Sequence, residues 1–259
     1  MAGLKADCLI FRTNVYNKKW HQKLLAINGD VKVIVIADIR KEMLPYDGLE
    51  LVFFDFHNID KLGLSYDEEV QWRCGDYAYY LAYSIYKYKY AWMIEPDCLI
   101  NDIGIEDILS LKSDVDFISC YNQVAEDGWY WKKNSHYGDN TMKCFFPVTR
   151  ISGNATSQLL NARKEFGSVM NDESFVISEL SIKKFKVKEL NSIIKITYNK
   201  NIFSYRKVHY YHILKLLIFF GIVKGNLFHP VYYKLSDYIL AYFKKRTWKF
   251  LLGIDKNIT

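Results

Sequence analysis

The apolar positions of this chain fall into short unbroken runs, separated by stretches in which they recur at helical intervals. Residues 6–12 (Ala-Asp-Cys-Leu-Ile-Phe-Arg) and 31–37, the second largely β-branched, are continuous enough to be strands buried on both faces. Residues 49–56, 90–94, 115–120, 144–151 and 185–190 read as further strands. Between the first two, Trp20, Leu24, Leu25 and Ile27 mark a helix over 17–27 that Asn28-Gly29-Asp30 ends. Helical spacing returns over 67–88, over 154–166, and from 171 to about 180. This order predicts an α/β fold with a mostly parallel, Rossmann-type sheet flanked by helices, whose ligands sit at the carboxyl ends of the strands. Residues 121–140, rich in aromatic side chains, fit neither period.

Acidic residues gather at the predicted strand ends. Asp38 closes the run 31–37, and Glu95-Pro96-Asp97 closes the run 90–94. Alternation would send the two acids to opposite faces, but the proline between them bends the chain and lets both reach one volume. Such a pair suits a hard divalent cation, which in turn neutralises a diphosphate; three residues alone also make an ordinary acidic turn. Asp172-Glu173 opens the helix at 171, where acids also serve as caps. Arg12, Arg73 and Asp76 fall where the first strand ends and the long helix begins. The arginines there can meet phosphate or ribose, and Arg73 can equally be a helix-surface charge.

Charge changes the picture at the far end. Residues 200–259 carry eleven Lys and Arg against Asp237 and Asp255, or +9 of a total of +6, which leaves about −3 on residues 1–199. The chain is therefore divided into a body, 1–199, and a basic, aromatic, helical C-terminal segment, 200–259. The longest apolar run there, 216–223, is far short of the roughly 20 residues that span a bilayer. A segment of this kind lies on an anionic membrane surface or packs on the core as a basic subdomain. Five dispersed cysteines give neither a disulfide framework nor a zinc site, and residues 1–7 have no apolar stretch of the signal-peptide kind. The expectation is a cytoplasmic protein, peripheral at the inner membrane face. There is no P-loop, no G-x-G-x-x-G and no nucleic-acid-binding module, and residues 11–16 lack the glycines of a nucleotidyltransferase phosphate loop.

With its acids in this order, the chain resembles the GT-A class of nucleotide-sugar glycosyltransferases, especially bacterial enzymes that build surface polysaccharides. The resemblance covers roughly residues 6–190 and rests on short motifs. It implies that Asp38 contacts the nucleobase, with Arg12, Arg73, Asp76 and Glu95 as further donor-side candidates. It implies that Asp97 and Glu95, a Glu standing where the first Asp is usual, hold Mn2+ or Mg2+ on the sugar diphosphate. His229, ahead of His209 and His212, is the candidate third ligand. Asp172-Glu173, reversed from the usual Glu-Asp, supplies the general base of an inverting transfer, Glu173 being favoured. The implied partners are a nucleotide-sugar donor and a glycan or lipid-linked glycan acceptor, with no nucleic acid. Trp129, Tyr130, Trp131 and His136 form a candidate acceptor loop or tuck into the core. The alternative is a non-catalytic protein whose tail binds membrane or acidic polysaccharide from an α/β scaffold.

Overall fold

Cys8–Thr13 (β1), Lys32–Ala37 (β2), Glu50–Phe53 (β3) and Tyr90–Ile94 (β4) form where the sequence has its apolar runs, and pair in parallel in the order β3-β2-β1-β4. The computed structural model describes residues 4–38, 45–196, 198–199, 201–203 and 208–251. After the short strand Leu99–Ile100 (β5), Phe117–Val124 (β6), Met142–Ser152 (β7) and Val187–Glu189 (β8) complete a seven-stranded sheet, β3-β2-β1-β4-β7-β6-β8. β7 runs antiparallel to both β4 and β6, while β6 and β8 are parallel. The other six strands therefore turn their carboxyl ends to one edge, and the α/β sheet is mixed but mostly parallel.

Each strand of the centre is buried on both faces, as its unbroken apolar run requires. On one face Phe11 meets Trp20 of helix Lys18–Ile27 (α1), with ring centroids 5.1 Å apart. On the other, Cys8 and Ile10 join the main core. That core is covered by Phe56–Asp60 (α2), Tyr77–Ile85 (α4), Gly153–Phe166 (α6) and Asp172–Ile182 (α7), with the single turn Val70–Arg73 (α3) leading into α4 and Asp102–Ser110 (α5) following β5.

Two departures from the sequence reading have local causes. The helix expected over 67–88 is broken at Cys74-Gly75-Asp76 into α3 and α4. The strand expected over 49–56 stops early because Asp55 caps α2, its side chain accepting from Asn58 N at 2.8 Å. Within 121–140 the chain makes two single turns, Tyr130–Asn134 and Gly138–Asn140, too short to carry a period.

The chain divides into two compact units: Met1–Pro96 with Asp107–Lys195, which holds the sheet, and Asp97–Glu106 with Ile196–Thr259. The second contains His209–Tyr210 (β9), Tyr211–Phe219 (α8), Leu227–Phe228 (β10), Val231–Tyr232 (β11) and Leu235–Leu251 (α9). β10 pairs antiparallel with β5, and β11 pairs parallel with β9. α8 buries only Leu214. Of the basic and aromatic positions read from the sequence, Lys200, Arg206, Lys207 and Lys256 lie outside the described residues, as do the side chains of Lys244, Lys245, Arg246, Trp248, Lys249 and Phe250. Among the described residues no helix is long and apolar enough to cross a membrane.

Candidate active site

Because β1 and β4 are parallel neighbours, Arg12 near the end of one and Glu95 just past the end of the other face the same edge of the sheet. Arg12 Nη1 donates to Glu95 Oε1 at 2.6 Å and lies 3.9 Å from Asp172 Oδ2, while Nη2 donates to the Gln71 carbonyl. Asp172 is brought there by the start of α7, where Asn171 caps the helix and accepts from Ser174 N. Its Oδ1 accepts from Glu173 N at 2.8 Å, and its Oδ2 accepts from Gly75 N at 2.9 Å. The helix break at Gly75 now has a reason. A Cβ at that position would collide with both Arg12 Nη1 and Asp172 Oδ2, so only glycine lets the backbone amide reach the carboxylate.

Three carboxylates thus share little positive charge. Burial pushes the Asp172 carboxyl up from its ordinary 3.8 to about 7; the Arg12 guanidinium pulls it down, and the Asp76 and Glu95 charges push it further up. Burial, then the charges of Asp172 and Glu95, push Glu173 up from 4.5 to about 8, against the pull of Lys143. Lys143 pairs with Glu126 and lies 5.4 Å from the centroid of the Trp129 ring. A carboxyl poised near neutrality at the edge of a parallel sheet is chemically equipped to take a proton from a substrate hydroxyl.

The other donor-side candidates are placed differently. The Asp76 carboxylate is fully buried against Arg163, with Nε and Nη2 each at 2.8 Å, and accepts the Tyr80 hydroxyl at 2.6 Å. Arg163 also donates to the Gly167 and Met170 carbonyls and lies over the Phe175 ring at 3.8 Å. This pair ties α4 and α6 to the segment that carries Asp172. Arg73 donates to the Ser168 carbonyl at 2.7 Å and pairs with Asp67 and Glu69. Asp38 follows β2, its amide donating to the Thr13 carbonyl at 2.8 Å. Of the aromatic loop, Trp131 lies 5.5 Å from Trp72 and 4.9 Å from Tyr130, whereas His136 stacks on Phe166. Gly75, Arg163, Lys143 and Trp72 escaped the sequence reading. Gly75 alone carried a signal there, a glycine inside an otherwise helical pattern.

In the second unit, His229 Nε2 lies 3.1 Å from Asp97 Oδ2, and Val231 N donates to the Asp97 carbonyl at 2.7 Å. The His229 amide donates to the Ile202 carbonyl at 2.9 Å, so backbone bonds on both sides of the cis His229-Pro230 peptide hold the ring beside the carboxylate. A carboxylate oxygen and an imidazole nitrogen converging in this way can hold a divalent cation, and the nitrogen favours Mn2+ over Mg2+, which takes oxygen ligands. His209 lies in β9, and His212 packs against the Tyr210 and Tyr211 rings.

No family model and no curated protein matches the sequence. Among solved structures, the chain is similar to the galactosyltransferase LgtC in complex with donor and acceptor sugar analogues, at 11% identity over 97% of each chain with a TM-score of 0.42. It is also similar to GlyE, a glycosyltransferase of Streptococcus pneumoniae, at 12% identity over 91% of this chain and 56% of that one, with a TM-score of 0.41. The inositol-1-phosphate CTP transferase of T. maritima is similar as well, at 12% identity over 72% and 86% with a TM-score of 0.39. Glycosyl- and nucleotidyltransferases stand side by side at this level, and likenesses so remote do not bear on activity.

Proposed function

We propose that this chain is a glycosyltransferase that moves a sugar from a nucleotide-sugar donor to a glycan or lipid-linked glycan acceptor, with inversion, in polysaccharide synthesis. The observation that carries the reading is the pair Asp172–Glu173, whose carboxyls are pushed up to about 7 and about 8 beside Arg12 and Glu95 at the strand ends. Glu173 takes the acceptor proton as general base. Asp172, held by Gly75 N and its own helix start, positions it. Arg12 and Asp38 face the donor. Asp97 and His229 hold the divalent cation, with Glu95 beside Asp97 in the chain; when bound, the metal offsets charge on the leaving diphosphate. Arg73 and Asp76, engaged in ion pairs of their own, serve the scaffold.

The test is incubation with a panel of UDP-, GDP- and CMP-sugars and Mn2+ or Mg2+, read as nucleotide release and as a rise in Tm with the matching nucleotide. One donor should be consumed, and Asp97→Ala should abolish both turnover and the metal-dependent Tm shift. Full activity in EDTA removes the metal. Pyrophosphate release from a nucleoside triphosphate and a sugar-1-phosphate, with no donor consumed, replaces the reading by nucleotidyl transfer.

The basic second unit supports peripheral attachment to an anionic membrane. Ile213, Leu216, Phe219, Phe220 and Ile222 are exposed, Phe219 by 81%, close in the chain to exposed Lys215 and Lys224. Basic charges near an anionic leaflet contribute roughly 1 kcal/mol each. The protein should sediment with anionic but not neutral vesicles. Reversing the charge of Lys244, Lys245, Arg246 and Lys249 should release it; a wild type that stays in the supernatant at low salt ends this part of the proposal.

A further inference from the structure

A cleft on the first unit lies outside the carboxylate cluster. It has a volume of about 570 Å3 and is lined by Glu69, Trp72, Arg73, Tyr130, Trp131, Asn134 and Val169. Trp72 is 65% exposed and Tyr130 69%, although a folded chain normally covers rings of this size. Trp72 and Trp131 stand tilted at 51°, and Tyr130 meets Trp131 edge-on at 81°. Arg73 does not make it an anion site, because that side chain is already engaged by Asp67, Glu69 and the Ser168 carbonyl. What remains is a set of flat aromatic faces with the Glu69 carboxylate and the Asn134 amide in the same lining.

We propose that this cleft is a glycan subsite that stacks a neutral sugar ring on Trp72 and Tyr130, with Glu69 and Asn134 taking its hydroxyls. A pyranose has the matching chemistry, apolar C–H faces and a rim of hydroxyl groups. The cleft is also tied to the carboxylates. Arg73 and Cys74 bond to the Ser168 carbonyl, and Gly75 bonds to Asp172, so two stretches of chain run side by side from the cleft to the acid. Trp72 is three residues from Gly75, and Val169 three from Asp172, a reach of at most about 11 Å along an extended chain. An oligosaccharide seated on Trp72 spans that distance. The acceptor assignment rests on the transferase reading above, whereas the sugar-binding assignment does not.

The experiment is saturation-transfer NMR on the full chain with lactose, cellobiose and N,N′-diacetylchitobiose, without nucleotide or metal. At least one should receive saturation at its ring C–H protons. Trp72→Ala should weaken that ligand at least about tenfold, the ordinary cost of truncating an aromatic anchor, with Trp72→Phe partly restoring it and Tm staying close to wild type. No saturation on any of the three, or equal affinity in Trp72→Ala, overturns the proposal. So does binding of 8-anilinonaphthalene-1-sulfonate at the cleft that none of the sugars displaces, which marks a general apolar patch. Sugar binding without consumption of any donor defeats the transferase reading and leaves the subsite standing. Transfer without sugar binding at the cleft defeats the subsite alone.

Discussion

Two buried aspartates, Asp76 and Asp172, lie close enough to perturb one another, yet the chain treats them in opposite ways. Asp76 receives two hydrogen bonds from Arg163 and one from Tyr80, and both partners of the ion pair are fully buried. Asp172 accepts the backbone amides of Gly75 and Glu173, but for positive charge it has a share of Arg12, 3.9 Å away, whose short contact goes to Glu95. A matched, bidentate guanidinium makes the first a fixed tie between helices. An under-compensated charge makes the second, with Glu173, a site whose protonation state sits near neutrality. Burial alone therefore does not mark a functional acid here; the arithmetic of its partners does.

The widest break in the comparison is expected from Glu173→Gln. Turnover should fall about 10²–10⁴-fold, the usual contribution of a positioned general base, with nucleotide affinity little changed. Single-turnover rates check this, and a product that keeps the donor's anomeric configuration removes the role. Next is Arg163→Met, which strands the Asp76 charge and should cost about 3–5 kcal/mol in urea unfolding. Arg12→Met should cost less than Arg163→Met, since Glu95 is part-exposed and Asp172 is able to take a proton. Equal losses would erase the distinction. The dependence on pH is a separate check. Asp172 and Glu173 bind protons more readily folded than unfolded, so their contribution to stability is fully present below their ordinary 3.8 and 4.5 and is lost as pH rises toward about 7 and 8. Urea midpoints measured across that range should show the decline, and Glu173→Gln should flatten part of it.

The strands were legible because continuous apolar runs have few other uses in a chain of this length. Val33, Ile34, Val35 and Ile36 are all wholly buried, as their β-branched run implied. The reversal of β7 was not legible, since a strand buried on both faces reads the same in either direction. The acids at 95, 97 and 172–173 could be picked out one by one, but not their company. Arg12 reaches Glu95 and Asp172 across more than eighty residues, and Arg163 reaches Asp76 across 87. Trp72 was hidden for a related reason, being one aromatic in a stretch that reads as a single helix.

The pairing of β5 with β10 sets a clock on synthesis. Leu99–Ile100 leaves the ribosome well before Leu227–Phe228 exists, and at about 5–20 residues per second that interval is on the order of ten seconds. For that time Ile100, 1% exposed in the finished fold, faces water, and the Asp97 carbonyl waits for the amide of Val231. The nascent chain thus carries an open edge at Leu99–Ile100 that only its late-made segment closes, and premature release before residue 227 would leave that edge for chaperones to cover.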